Sequence, residues 1–138
     1  MTSSQTALSL MLGRMALGAL FFVSGIAKIG RFAGVAGFMA SKGLPAAELL
    51  LAATIALEIG AGLALIAGWH VRYAAWALAT FTALATVVFH AFWAAEASAY
   101  QNQLNHFLKN IAVMGGLLLV ASTGAGAWSV GAKAAKHR

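Results

Sequence analysis

Four long apolar runs with almost no charge inside them decide what this chain can fold into. They cover roughly residues 7–27, 46–67, 73–95 and 107–123. Each is near the twenty residues that an α-helix needs to cross the hydrocarbon core of a bilayer. Hydrocarbon offers no partner to a backbone N–H or C=O, so a spanning segment must close its own hydrogen bonds as a helix. A barrel strand would alternate apolar and polar residues, and these runs do not. Only 9% of the 138 residues are charged and 62% are hydrophobic, against about a quarter charged in a soluble domain. Too little charge is left to coat a globule in water. The expected fold is all-α: an antiparallel integral membrane four-helix bundle, one domain over residues 1–138, with a basic tail at 124–138.

The first run reads as a retained helix. A cleaved signal peptide has a cationic start and a short uncharged core, whereas "MTSSQT" carries no side-chain charge and Arg14 lies inside the run. Between spans one and two, "GRFAGVAGFMASKGLP" sets Phe32, Val35, Phe38 and Met39 at helical spacing opposite Arg31 and Lys42. This predicts a short helix in the membrane interface, stopped by Gly43, with Pro45 starting span two and Glu48 near its positive end. "GWHVR" (Gly68 to Arg72) predicts a tight turn with Gly68 in the left-handed cap position. "EASAYQNQLN" (Glu96 to Asn105) reads as a polar connection.

Orientation follows from the flanking cations. Arg72, Lys133, Lys136 and Arg138 lie on one side and Lys28, Arg31 and Lys42 on the other, a bias that favours both termini in the cytoplasm. The net charge of +6 is scattered around the span ends, so nucleic acid is not an expected partner; the tail "KAAKHR" suits anionic membrane lipid. The chain has no cysteine. That excludes disulfide exchange, iron–sulfur clusters and thiolate metal sites built by this chain alone, and with them any quinone reduction through a CxxC pair.

Polar residues inside the spans carry the functional information, because a charge in hydrocarbon costs a few kcal/mol and tends to face the bundle interior. Arg14 in span one and Glu58 in span two fall at similar depth when the spans are centred on the membrane, which predicts a buried ion pair that either fixes register or serves function. Lys28, on the stripe Arg14, Gly18, Phe21, Gly25, is expected to snorkel to the headgroups. Gly18 and Gly25 on that stripe, with Gly13, Gly115 and Gly116 elsewhere, allow close helix approach within one chain or in a homo-oligomer. His90 lies in the last third of span three, preceded by Thr82 and Thr86 at four-residue spacing, and "NHFLKN" opens span four, placing His106, Lys109 and Asn110 on one helix face. Lys109 alone could snorkel. Together His90, His106, Lys109 and Asn110 supply donors, acceptors and groups that titrate near neutral pH, the makings of a ligand site in the outer half of the membrane. No HxxxH or HExxH pair accompanies them, so no metal is predicted and a bis-histidine haem is rejected.

These features are similar to the DoxX family of small bacterial membrane proteins. The resemblance rests on "LGRMALGALFFVSGIAKIGRF", "GLP", "ALEIGAGLALIAGW", "FHAFW" and "HFLKNIAVMGGLLLV", in that order from about Leu12 to Val120. It implies a multi-pass protein of the bacterial inner membrane with cytoplasmic termini, linked to redox complexes, since the related DoxD type looks like a subunit of a thiosulfate:quinone oxidoreductase. Arg14, Lys28, Glu58, His90, His106, Lys109 and Asn110 match the family's polar positions. The leading expectation is a quinone-binding or non-catalytic subunit of an oxidoreductase, holding quinone or a similar small lipophile at His90, His106, Lys109 and Asn110. A soluble redox protein would be the partner that delivers electrons. Two other readings stay open: a non-catalytic scaffold that anchors soluble redox enzymes through the basic tail, and a small-solute or proton pathway along the polar stripe.

Overall fold

A computed structural model describes residues 2–131. The described chain is helical, in the order α1 (Ser3–Ile29), α2 (Phe32–Ser41), α3 (Ala47–Ala67), α4 (Val71–Phe89), a 3-10 turn (Phe92–Ala94) and α5 (Ala97–Thr123). Four helical segments are long and apolar enough to cross a membrane: α1, α3, α4 with its 3-10 extension, and α5. Helix α1 packs most extensively on α3, and α4 on α5; α3 joins α4, and α5 closes weakly back onto α1.

Glycine brings α1 and α3 together. A Cβ on Gly18 would lie 2.6 Å from the Gly62 carbonyl oxygen, and one on Gly62 would lie 2.9 Å from the Phe22 nitrogen. The two backbones therefore touch where a side chain would separate them. By contrast, Gly13 and Gly115 face open space in the single chain, and Gly116 meets only Leu17. Phe21, Leu65, Leu78 and Leu117 fill the centre of the bundle, while large apolar side chains such as Leu84 (65% exposed) and Leu119 (69%) point outward. An apolar exterior of that extent suits lipid and not water.

Exposed aromatic residues bracket this surface. Trp69, Tyr73, Trp76 and Trp128 lie at the end of the bundle where α1 begins and α5 ends, and Trp93 and Tyr100 at the opposite end. Between them α4 runs about 28 Å at 1.5 Å per residue, close to the thickness of a hydrocarbon core.

The sequence reading holds for the short helix α2, whose Ala36 and Met39 pack on Leu51 while Phe38 stacks on Phe89 at 5.7 Å between centroids. Gly68 caps α3 with φ 79°, in the left-handed region. Two boundaries differ. Pro45 precedes α3 instead of opening it, because Ala46 takes a left-handed conformation (φ 48°) that ends the turn before the helix begins. Helix α5 starts ten residues earlier than its apolar run, at Ala97, since "ASAYQNQLN" satisfies its backbone as a helix whether or not it lies in lipid, and Gln101 donates to Asn105 one turn on. Lys133, Lys136 and Arg138 of the basic tail lie outside the described residues.

Candidate functional site

Three polar constellations occupy the bundle, and their partners differ from those that span depth alone predicts. The first is at the end where α1 begins and α5 ends. Arg14 is 2% exposed, and its guanidinium donates to the carbonyl oxygens of Leu65 and Ile66 and, at 2.9 Å, to that of Trp128. The last carbonyls of a helix lack intrahelical donors and carry partial negative charge. At the end of α3 the amides of Gly68 and Trp69 both turn back to Ala64, which leaves Leu65 and Ile66 for Arg14. Gly68 makes room: a Cβ there would sit 2.8 Å from Arg14 Nη1.

Arg14 therefore does not pair with Glu58, which corrects the expected ion pair. Centring both spans on the membrane gave them equal depth. The glycine contacts set a different register, with Gly18 beside Gly62 and Ile66 and Gly25 beside Glu58 and Ile59. Eleven residues then separate Arg14 from the level of Glu58, about 16 Å along the axis.

Glu58, 3% exposed, pairs instead with Lys28. The Lys28 ammonium donates to Oε2 at 2.8 Å, to Oε1 at 3.0 Å and to the Ser24 hydroxyl at 2.6 Å, while Ser24 donates to Oε1 at 3.1 Å. Snorkelling is thus corrected as well. Helical side chains lean toward the N-terminus, so Lys28 points back along α1 to Ser24 and across to Glu58 instead of outward. Ser24 and Lys28, four residues apart on one face, were the signal available in the sequence.

The third constellation forms the seam between α4 and α5. Asn110 donates to the Thr86 hydroxyl at 2.9 Å, Thr86 donates to the Thr82 carbonyl at 2.6 Å, and Thr82 to the Leu78 carbonyl at 2.7 Å. These hydroxyl protons end on backbone oxygens one turn back. Farther along, His90 closes α4 and stacks on His106, with ring centroids 4.9 Å apart and planes 15° from parallel. His90 Nδ1 meets Gln103 Oε1 at 2.9 Å, and Lys109 Nζ meets His106 Nδ1 at 3.2 Å. The structure so brings His90, His106 and Lys109 into one cluster, with Asn110 one turn along the same seam. Gln103 went unrecognised because its stretch read as a connection. Beside the histidines, Phe92, Trp93, Tyr100 and Phe107 meet edge to face, with centroids 5.1 to 5.9 Å apart.

The sequence profile of the DoxX family matches residues 9–91. The chain belongs to the DoxX family. It is similar to two proteins of Escherichia coli (strain K12): the inner membrane protein YqjF, 35% identical over 120 residues (87% of each chain), and the inner membrane protein YphA, 30% identical over 121 residues (88% of this chain, 86% of that one). No solved structure matches significantly. With its four apolar helices, this DoxX protein is a multi-pass inner membrane protein. The profile match takes in Arg14, Lys28, Glu58 and His90, and ends before His106, Lys109 and Asn110.

Proposed function

We propose that this DoxX protein is a membrane subunit of a redox complex and holds the head of a quinone, or of a similar small lipophile, against the α4–α5 seam. The supporting observation is the stacked His90–His106 pair, with Lys109 on one ring and Gln103 on the other. A quinone head needs donors at its oxygens, a group that exchanges protons near neutral pH, and an apolar surface for its ring and tail. The chain meets each need: imidazole and ammonium donors, titratable imidazoles, and the aromatic group of Phe92, Trp93, Tyr100 and Phe107 beside them. When bound, a quinone accepts two electrons and two protons. This chain supplies binding, orientation and the proton-exchanging imidazoles, while a partner redox protein supplies the electrons. Arg14 and the Lys28–Glu58 pair brace the bundle, and the termini face the cytoplasm.

Titration of a short-tailed benzoquinone into the purified full-length protein in lipid nanodiscs tests this reading. Saturable binding is expected, weakened about tenfold in His106→Ala, which corresponds to one lost hydrogen bond of about 1.4 kcal/mol. The variant's melting temperature should stay close to that of the wild type. Unchanged binding in His106→Ala removes the role given to that residue.

A further inference from the structure

Arg14 is a buried cation that no acidic side chain of the protein reaches. The sequence has three such side chains, Glu48, Glu58 and Glu96. Glu48 lies in the first turn of α3 and Glu96 caps the start of α5, both at the end of the bundle opposite Arg14. Glu58 is held by Lys28, about 16 Å from the level of Arg14 along the axis. Arg72, in the first turn of α4, adds a second positive charge to the Arg14 end. The carbonyls of Leu65, Ile66 and Trp128 accept from the guanidinium but carry no net charge. They occupy three of its five N–H groups, and Nε is buried without a hydrogen-bond partner among the described residues. The guanidinium therefore keeps both an unmatched charge and unspent donors.

Arg14 also lines a cleft of about 490 Å³, together with Met11 and Met15 of α1, Ile66 of α3, and Trp128 and Val130 after α5. Apart from Arg14, these walls are apolar. The cleft lies at the edge of the hydrocarbon: Leu65 and Ile66, which Arg14 bonds, are within about 3 Å of the end of α3. Exposed Trp69 and Trp128 mark the same level as the membrane interface. A cation among apolar walls at that depth faces the layer in which lipid phosphates lie.

We propose that this cleft binds the headgroup of an anionic phospholipid, with Arg14 as the counter-charge of its phosphate. Free phosphate offers the same oxygens but nothing to cover Met11, Met15, Ile66 and Val130, so the lipid is the expected source. Because Arg14 is buried, a phosphate oxygen reaches it by replacing one of its acceptors. The carbonyls of Leu65 and Ile66 are built into α3, whereas that of Trp128 belongs to the non-helical stretch after α5. With phosphate in place of the Trp128 carbonyl, Nη2 and Nε bond two of its oxygens side by side, the fork with which arginine holds phosphate. A neutral acceptor is thus exchanged for a charged one, and the orphaned Nε–H gains a partner.

The test titrates the full-length protein, in an uncharged maltoside detergent, with three probes: dioleoyl phosphatidylglycerol, dioleoyl phosphatidylcholine, whose ammonium offsets its phosphate, and glycerol phosphate. Phosphatidylglycerol should saturate one site about tenfold more tightly than either of the others, and Arg14→Gln should bring it down to the phosphatidylcholine level. Since Arg14 also holds α3, a second variant leaves it in place: Ala127→Trp fills the cleft from its exposed wall. It should weaken phosphatidylglycerol about tenfold while the melting temperature without lipid stays that of the wild type. Arg72→Gln, outside the cleft, should change binding less than about twofold. Equal affinity for the two lipids, full binding by Ala127→Trp, or a loss in Arg72→Gln as large as in Arg14→Gln overturns the site. Glycerol phosphate binding as tightly as phosphatidylglycerol overturns the assignment to lipid.

Discussion

The α1–α3 and α4–α5 interfaces solve the same problem, polar groups in lipid, in opposite ways. Between α1 and α3 the backbones meet at Gly18 and Gly62, and the ionisable groups consume one another: Lys28 donates to both oxygens of Glu58 and to Ser24. Between α4 and α5 the buried face of α4 is built mainly of Ala and Thr, and the two imidazoles are engaged on one side only, with each Nδ1 hydrogen-bonded and each Nε2 without a hydrogen bond among the described residues. One interface closes its ionisable groups on each other, and the other leaves imidazole nitrogens without a partner among the described residues.

Breaking the ion pair should have the largest effect on stability. Lys28→Met leaves a carboxylate that is 3% exposed with only Ser24 as partner, and removing one member of a buried pair costs about 3–5 kcal/mol. The double variant Lys28→Met with Glu58→Leu should recover most of this in thermal unfolding, because the unpaired charge is gone. A double variant as unstable as the single one would give the pair more than a bracing role. Gly62→Leu comes next. A Cβ there already lies 2.8 Å from the Gly18 oxygen, so leucine must force the helices apart, at about 3 kcal/mol and an apparent Tm drop of about 10 °C. The same change at Gly115, which faces open space in the single chain, should leave monomer stability unaltered. The smallest effect belongs to the seam. Thr86→Val removes the acceptor of Asn110 and should cost about 0.5–1 kcal/mol; a loss as large as that of Lys28→Met would show that the seam braces the bundle too.

The spans, the short helix and the Gly68 turn were legible because each follows from local chemistry: apolar length, amphipathic spacing, or a glycine where φ is positive. The convergence of His90, His106 and Lys109 was legible too, since adjacent antiparallel spans bring the end of one beside the start of the next. Pairing across α1 and α3 was not. Register there depends on which small residues face each other, and a sequence that offers Gly13, Gly18, Gly25, Gly60 and Gly62 permits several offsets. Centring both spans on the membrane instead sets Arg14 level with Glu58, and a lysine read alone at a span end is expected at the headgroups. Gln103 was lost for another reason. A polar stretch signals departure from lipid, not departure from helix, and α5 continues through it.

Arg14 also ties the calendar of synthesis to the finished bundle. Its carbonyl partners on α3 lie 51 and 52 residues downstream, and Trp128 lies 114 residues downstream. A nascent chain that has inserted its first helix therefore holds a guanidinium in the membrane with all three of its carbonyl partners still untranslated. Until α3 and the segment that holds Trp128 are in place, that buried charge lacks the acceptors that offset its cost in hydrocarbon.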